Sequence, residues 1–287
     1  MPVSLDWPAP DERPACGVIG WPVTYSLSPV IHEAAFRALG TNWRYLHLPV
    51  PPGALREAIN RLASDGYAGA NVTIPHKTQA AGIAAPLSED AARLNAVNTL
   101  VLADASDGTL AGYNTDAPGF ANFLARDADW DPSGRSALIY GAGGAARACV
   151  LALARGGLAS LVVAVRETSR AERLLHLAAS LGVSTETVMF GAALGRSCDL
   201  VLNATPVGRG GENLPLPKLG PKVLVVDLLY RPAQTAMLEA ARGAGAPAFG
   251  GLGLLVHQAA LSFELFTGAP APLEIMREAA LAGLKGP

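Results

Sequence analysis

The chain has 287 residues, which at roughly 150 residues per domain corresponds to about two domains. Its 22 Lys and Arg against 24 Asp and Glu leave a net charge of −2, which argues against a dedicated nucleic-acid or anionic-membrane binder, since either needs clustered positive charge. Half the residues are hydrophobic and only 16% charged, so a sizeable core can form and a disordered chain is excluded.

In chain order, the stretch 1–14 carries Asp6, Asp11, Glu12 and several prolines, a composition unlike a signal peptide. Short apolar runs at 16–20 and 45–50 read as strands, with helical spacing over 29–39 between them and over 55–64 after them. Residues 69–72 and 98–102 read as two further strands, so the first block is expected to be built from βαβ units on a parallel sheet. Asp131-Pro132-Ser133-Gly134 is a turn cluster, and a second alternating block follows it. Its expected strands are 137–140, 161–165, 200–203 and 223–227, and its expected helices are 145–155 and 170–181. From Leu254 the pattern is helical, over 254–267 and 273–284. With no strand to follow, these helices are expected to return to the first domain. The longest uncharged apolar run, 245–263, holds His257, Gln258 and four glycines and reads as loop into helix, not as a membrane span. The expected fold class is α/β: two open α/β domains with a cleft between them, the second a Rossmann-type dinucleotide-binding domain. The expected boundaries are 1–116 with 252–287 for the substrate domain and 117–251 for the cofactor domain. Ligands of such sheets bind beyond the carboxyl ends of the strands.

The hydroxyl-rich junctions come first along the chain. Ser26-Leu27-Ser28-Pro29 lies between a strand and a helix; Ser28 with Pro29 reads as a helix cap, which leaves Ser26 without a structural explanation. Asn71-Val72-Thr73-Ile74-Pro75-His76-Lys77 repeats the design, with Thr73 as a possible cap. Lys77 then falls in the first helical turn, where a cation meets the positive end of the helix dipole. A disfavoured charge at such a junction marks a candidate for proton transfer. Asn98-Thr99 and Asn114-Thr115-Asp116 add small polar groups that, singly, are as well explained as turn residues.

The run Ala137-Leu138-Ile139-Tyr140-Gly141-Ala142-Gly143-Gly144-Ala145-Ala146 is strand, glycine turn and helix start in the order a dinucleotide site requires. Gly141 would make the tight turn, Gly143 would let backbone approach a pyrophosphate, and the helix N-terminus would offer N–H groups to it. An acid after the next strand suits NAD, and arginine suits the 2′-phosphate of NADP. Here Arg166-Glu167-Thr168-Ser169-Arg170 supplies two arginines, which favour NADP, and one Glu, which keeps NAD open. Cys16, Cys149 and Cys198 are scattered and odd in number, so neither a disulfide framework nor a metal site is expected, in keeping with a reducing, cytoplasmic setting.

These segments, together with Gly20-Trp21-Pro22, Asn203-Ala204-Thr205-Pro206-Val207-Gly208, Asp227-Leu228-Leu229-Tyr230-Arg231-Pro232 and Gly251-Leu252-Gly253-Leu254-Leu255-Val256-His257-Gln258, resemble the shikimate dehydrogenase family from about Cys16 to about Gly268. The resemblance implies reversible NADPH-dependent reduction of 3-dehydroshikimate to shikimate, in chorismate and aromatic amino-acid biosynthesis. It implies that Ser26, Ser28, Thr73, Asn98, Asp116, Tyr230 and Gln258 hold the substrate, and that Lys77, paired with Asp116, handles the proton. On the cofactor side it implies Gly141, Ala142, Gly143, Gly144, Ala145, Arg166, Arg170, Leu228 and Gly251. Partners are then small molecules, not nucleic acid or membrane, and the chain is expected to be a monomer or homodimer. The sequence departs from the family pattern at Asn95 (Gly is usual), Val165 (Asn), Glu167 (Thr), Arg209 (Met) and Leu254 (Met). A quinate/shikimate dehydrogenase using NAD is the alternative enzyme. A catalytically silent sensing module is the alternative of another class, and the presence of Lys77 and Asp116 speaks against it.

Overall fold

The structure is a computed structural model that describes residues 13–104 and 108–285 together with Leu5, Trp7 and Asp11. Most of the N-terminal stretch read above as unlike a signal peptide lies outside the described residues. The chain divides into two compact units, Met1–Thr115 with Gln258–Pro287, and Asp116–His257.

In the first unit β1 (Ala15–Gly20), α1 (Ser28–Ala38), β2 (Arg44–Pro49), α2 (Leu55–Ser64) and β3 (Gly69–Val72) alternate as the sequence implies. The short helices α3 (Lys77–Ala81) and α4 (Glu89–Leu94) then lead to β4 (Thr99–Asp104) and β5 (Thr109–Tyr113). The sheet order is β2-β1-β3-β4-β5. β1, β2 and β3 are parallel, whereas β3–β4 and β4–β5 are antiparallel, so the expectation of a parallel first sheet holds for only three of its five strands. The physical reason is local: the connection from β3 to β4 carries only the five-residue α3 and the six-residue α4, and at about 1.5 Å per residue neither runs back along the sheet as a crossover helix does. Asn95 is the left-handed C-cap of α4, with φ 47° and ψ 48°, a conformation that asparagine adopts in place of glycine. That accounts for this departure from the family pattern. Ile19, Leu48, Leu55, Ile59, Leu62, Val72 and Leu100 form the core of this unit.

The second unit contains α5 (Asp116–Arg126), β6 (Ser136–Tyr140), α6 (Gly144–Arg155), β7 (Ser160–Val165), α7 (Glu172–Ser180), β8 (Ser184–Met189), β9 (Leu200–Asn203), β10 (Leu224–Asp227), α8 (Ala236–Gly243) and β11 (Ala248–Gly250). The six strands run parallel in the order β11-β10-β9-β6-β7-β8, the doubly wound arrangement of a Rossmann-type sheet with its switch point between β6 and β9. Alternate residues serve opposite faces. Ile139, Val163, Leu202 and Val226 pack under α5, α6 and α7, and Leu138, Tyr140, Val201 and Val225 pack with Met237 and Ala241 of α8. Each of the buried Val, Leu, Ile and Met side chains among these contributes roughly 1.5–3 kcal/mol by burial.

Two helices close the chain, α9 (Leu252–Thr267) and α10 (Leu273–Lys285), and the boundary between the units falls within α9. α10 packs along α1 in the first unit. Among the described residues no helix is long and apolar enough to cross a membrane, and no cluster of His, Cys, Asp and Glu could hold a metal ion.

All three thiols are free, with Cys16 and Cys149 buried. Burial pushes the Cys198 thiol up to about 12, so at pH 8 only on the order of one molecule in 10⁴ carries its thiolate. Labelling of the native protein with Ellman's reagent at pH 8 is therefore expected to be slow, with three thiols appearing together in denaturant. One rapidly titrating thiol in the native state would contradict this burial.

Candidate active site

The carboxyl ends of β1 and β3 each run into a helix through a polar junction, and these junctions place Ser26 and Ser28, and Thr73 and Lys77, at one end of the first sheet. The antiparallel turn of β4 and β5 has a functional consequence. Thr99, the first residue of β4, pairs with Asn71 of β3 and with Tyr113, the last residue of β5. Asn98, Asn114 and Thr115 therefore arrive at that same end, although no parallel arrangement would have brought them there.

The two caps expected from sequence are not made. α1 is capped by Leu27 with no side-chain bond, and Ser28 is its first residue. Ser26 Oγ accepts the Ser28 N–H at 3.2 Å and donates to Ser28 Oγ at 3.1 Å, so Ser26 is the residue with the local structural role. Likewise His76 precedes α3 without a side-chain cap, and Thr73 meets His76 only through its backbone carbonyl. Lys77 is the first residue of α3, half-buried, and its carbonyl accepts the Val97 N–H at 2.9 Å. α3 has only five residues, so the dipole argument for Lys77 carries little weight compared with its position.

Beneath these residues lies a buried hydrogen-bond network. Asn71 Nδ2 donates to the Asn98 carbonyl, Thr99 Oγ1 and Ser262 Oγ at 3.2, 3.0 and 2.8 Å, while its Oδ1 accepts the Tyr45 hydroxyl at 2.6 Å. Asn98 Oδ1 accepts the Thr115 N–H at 2.8 Å and the Thr99 hydroxyl at 3.0 Å, and its Nδ2 donates to Thr115 Oγ1 at 2.9 Å and reaches Gln258 Oε1 at 3.5 Å. Ser262, one turn after Gln258, donates to the Gln258 carbonyl at 3.0 Å and lies 3.0 Å from Thr99 Oγ1 and 3.2 Å from Thr115 Oγ1. Ser262 escaped the sequence reading, since one serine on an apolar helix gives no periodic signal. Ser262→Val is expected to leave several buried polar groups short of a partner and to lower stability by about 1–3 kcal/mol. Urea denaturation measures this, and a loss below about 0.5 kcal/mol would mean the network does not depend on Ser262.

At the carboxyl end of the second sheet, a pocket of about 800 Å³ is lined by Gly141, Ala142, Gly143, Val165, Arg166, Arg170, Phe190, Thr205, Val207, Arg209 and Glu212, among others. Gly141 has φ +95°, and a Cβ there would press on Thr205 Cγ2 at 2.8 Å, so the turn requires glycine. At Gly143 a Cβ would meet no protein atom within 4 Å. Glycine is not needed there for internal packing; what it provides is bare backbone along the pocket. α6 starts at the next residue and has helix N–H groups that lack intrahelical acceptors. Turn, helix start and two arginines fit a phosphorylated dinucleotide.

Arg170 lies in a 3-10 turn, Thr168–Ala171, and is bonded through Nε and Nη2 to the Glu167 carboxylate at 3.1 and 3.3 Å. Gly144, Ala145, Leu228 and Gly251 do not line the pocket. A Cβ at Gly251 would overlap the Leu228 carbonyl, so that glycine also has a packing reason. Asp227, buried at the end of β10, has its carboxyl pushed up by burial. It accepts from Asn203 Nδ2 at 3.0 Å, the Leu229 N–H at 3.1 Å and the Thr235 hydroxyl at 2.7 Å, which fixes the two loops that follow β9 and β10. Asp116, the first residue of α5, is buried, and Tyr230 is half-buried; both belong to the second unit.

Two family models match the chain: the shikimate dehydrogenase substrate binding domain over residues 18–100 and the shikimate 5'-dehydrogenase C-terminal domain over residues 251–281. A shikimate dehydrogenase (NADP(+)) of Methanopyrus kandleri is 42% identical over 284 residues, covering 96% of this chain and 97% of the relative. The crystal structure of shikimate 5-dehydrogenase from Thermus thermophilus in complex with NADP(H) and shikimate is 35% identical, covers 94% of this chain and 100% of that one, and superposes with a TM-score of 0.83. Quinate dehydrogenase from Corynebacterium glutamicum in complex with NAD is 30% identical, with 94% and 99% coverage and a TM-score of 0.85, so the fold alone does not choose between these chemistries. Full-length identity above 40%, read with the polar sheet end and the glycine-turn pocket, places the chain in the shikimate dehydrogenase family.

Proposed function

We propose that the protein catalyses the reversible NADP(H)-dependent interconversion of 3-dehydroshikimate and shikimate, a step of chorismate and aromatic amino-acid biosynthesis, and that it does so in the cytoplasm. The observation that carries the cofactor half is a single pocket joining the glycine turn after β6 to Arg166 and Arg170 after β7. When bound, NADPH supplies the hydride.

The residues of the first unit then have distinct tasks. Ser26, Ser28, Thr73, Asn98 and Gln258 hold the carboxylate and ring hydroxyls of a small polyol acid, a ligand that needs many hydroxyl and amide partners. Lys77 delivers a proton to the carbonyl oxygen as negative charge develops there, and takes it back in the reverse direction. The buried network through Asn71, Thr99, Thr115 and Ser262 fixes Asn98 and Gln258, so these partners are oriented before substrate arrives. The roles of Asp116 and Tyr230, as counter-charge for Lys77 and as a substrate contact, rest on the family resemblance. So do those of Gly144, Ala145, Leu228 and Gly251 toward the cofactor. We take the active form to be a monomer or homodimer with small-molecule partners.

The Glu167–Arg170 pair favours a second reading in which NAD is also used, with quinate as a further substrate. Initial rates with shikimate and quinate, each with NADP⁺ and NAD⁺, decide between them. Shikimate with NADP⁺ is expected to be the fastest pair, and a faster quinate–NAD⁺ pair would overturn the proposal.

A further inference from the structure

The cofactor pocket is lined by three arginines, Arg166, Arg170 and Arg209. Arg170 is held by Glu167, and among the described residues Arg166 and Arg209 have no hydrogen-bond or ion-pair partner for their guanidiniums. Arg209 differs from the other two in where it comes from. Arg166 and Arg170 follow β7, whereas Arg209 follows β9, and β6 lies between those strands in the sheet. The glycine turn leaves β6, so it is flanked on one side by Arg166 and Arg170 and on the other by Arg209.

The loop that carries Arg209 is tightly built. Asn203 Oδ1 accepts the Thr205 N–H at 2.9 Å and its hydroxyl at 2.7 Å; Thr205 Oγ1 accepts the Val207 N–H at 3.2 Å; and Asn203 Nδ2 donates to the Val207 carbonyl at 2.9 Å. Glu212 is the acid nearest in sequence, yet its carboxylate is committed to backbone, accepting the Gly208 and Gly210 N–H groups at 3.0 Å each. Those bonds clamp the backbone on either side of Arg209 and leave its charge unneutralised. An ordered loop that presents an unpaired arginine to a pocket beside a phosphate-type turn calls for an anion.

We propose that Arg209 binds the pyrophosphate of the dinucleotide, the group common to NADP and NAD, while Arg166 and Arg170 serve the 2′-phosphate. The assignment rests on the cofactor reading given above and adds a residue that is blind to the NADP/NAD difference. Its position on the β9 side of the glycine turn is what separates the two roles, since the adenosine ribose of a doubly wound domain lies toward the strand next to the turn, here β7.

The test is calorimetric titration of wild type, Arg209→Gln and Arg209→Lys with NADP⁺, NAD⁺, ADP-ribose and 2′-AMP. Arg209 is exposed, so both variants are expected to fold, which an unchanged melting temperature checks. One charge-assisted bond corresponds to about a tenfold loss, so Arg209→Gln is expected to weaken NADP⁺, NAD⁺ and ADP-ribose about tenfold each and leave 2′-AMP unchanged. Arg209→Lys is expected to recover part of that loss. A loss confined to NADP⁺ and 2′-AMP would place Arg209 on the 2′-phosphate, and no loss at all would remove it from the site; either overturns the assignment. A wild-type protein that binds neither dinucleotide would overturn the cofactor reading itself, a result distinct from both.

Discussion

Replacing Lys77 with methionine is expected to lower turnover by about 10²–10⁴ while the shikimate dissociation constant changes little, because that is the usual cost of removing a positioned general acid–base. Methionine retains the length and unbranched shape of the lysine stem. Lys77 opens a five-residue helix, is half-buried, and is anchored by its own carbonyl to the Val97 N–H. The groups proposed to hold the acid and hydroxyls, Ser26, Ser28, Thr73 and Gln258, remain in place, so binding survives. What is lost is the proton for the alkoxide that forms as hydride reaches the carbonyl carbon. Turnover and a shikimate dissociation constant, measured together for Lys77→Met and Asp116→Asn, separate the two contributions. If Lys77→Met kept more than about a tenth of wild-type turnover, less than the usual effect, Lys77 would be a binding residue and the proton would come from elsewhere.

That Lys77 was visible in the sequence at all follows from where the fold puts its chemistry. Strand–polar–helix junctions are local in sequence, and they write Ser26-Leu27-Ser28-Pro29, Thr73 through Lys77 and the Gly141 turn as short contiguous strings. What the sequence concealed was long-range. The three strands it did not announce, β5, β8 and β11, all lie at sheet edges. β8 alternates exposed residues with the half-buried Thr185 and Thr187 until the buried Val188, and β11 is three half-buried residues, so neither has the continuous apolar run that marks an interior strand. Apolar content also carries no direction, and for that reason the antiparallel β4 read as one more parallel strand. The price was the network built on Asn98, Thr115 and Ser262, since only the antiparallel return brings these residues together. The local roles of Ser26 and Ser28 were exchanged for a different reason: a serine before proline satisfies the capping pattern whether it sits at the cap or, as here, one residue inside the helix.

Changing Arg166 and Arg170 together to alanine is expected to raise the Michaelis constant for NADP(H) about 10²-fold and leave that for NAD(H) within about threefold. Charge-assisted bonds to a phosphate contribute roughly 1.5–3 kcal/mol each, and about 1.4 kcal/mol corresponds to a factor of ten. Two such bonds span about 10²–10⁴, and solvent places the result at the lower end, because the Arg170 and Glu167 side chains are 64% and 62% exposed. Glu167 lowers it further, since its carboxylate already occupies both Nε and Nη2 of Arg170. An exposed ion pair of this kind is worth only about 0.2–1 kcal/mol, so a dianionic phosphate displaces it. Glu167→Gln acts in the opposite direction: with the carboxylate gone, Arg170 binds the phosphate without competition, and NADP preference is expected to rise by about a few-fold. Steady-state kinetics of the double arginine variant and of Glu167→Gln with both cofactors test the pair of expectations. Equal damage to NADP(H) and NAD(H) in the double variant would show that the arginines do not read the 2′-phosphate, and a fall in NADP preference for Glu167→Gln would show that Glu167 positions Arg170 for the phosphate instead of competing with it.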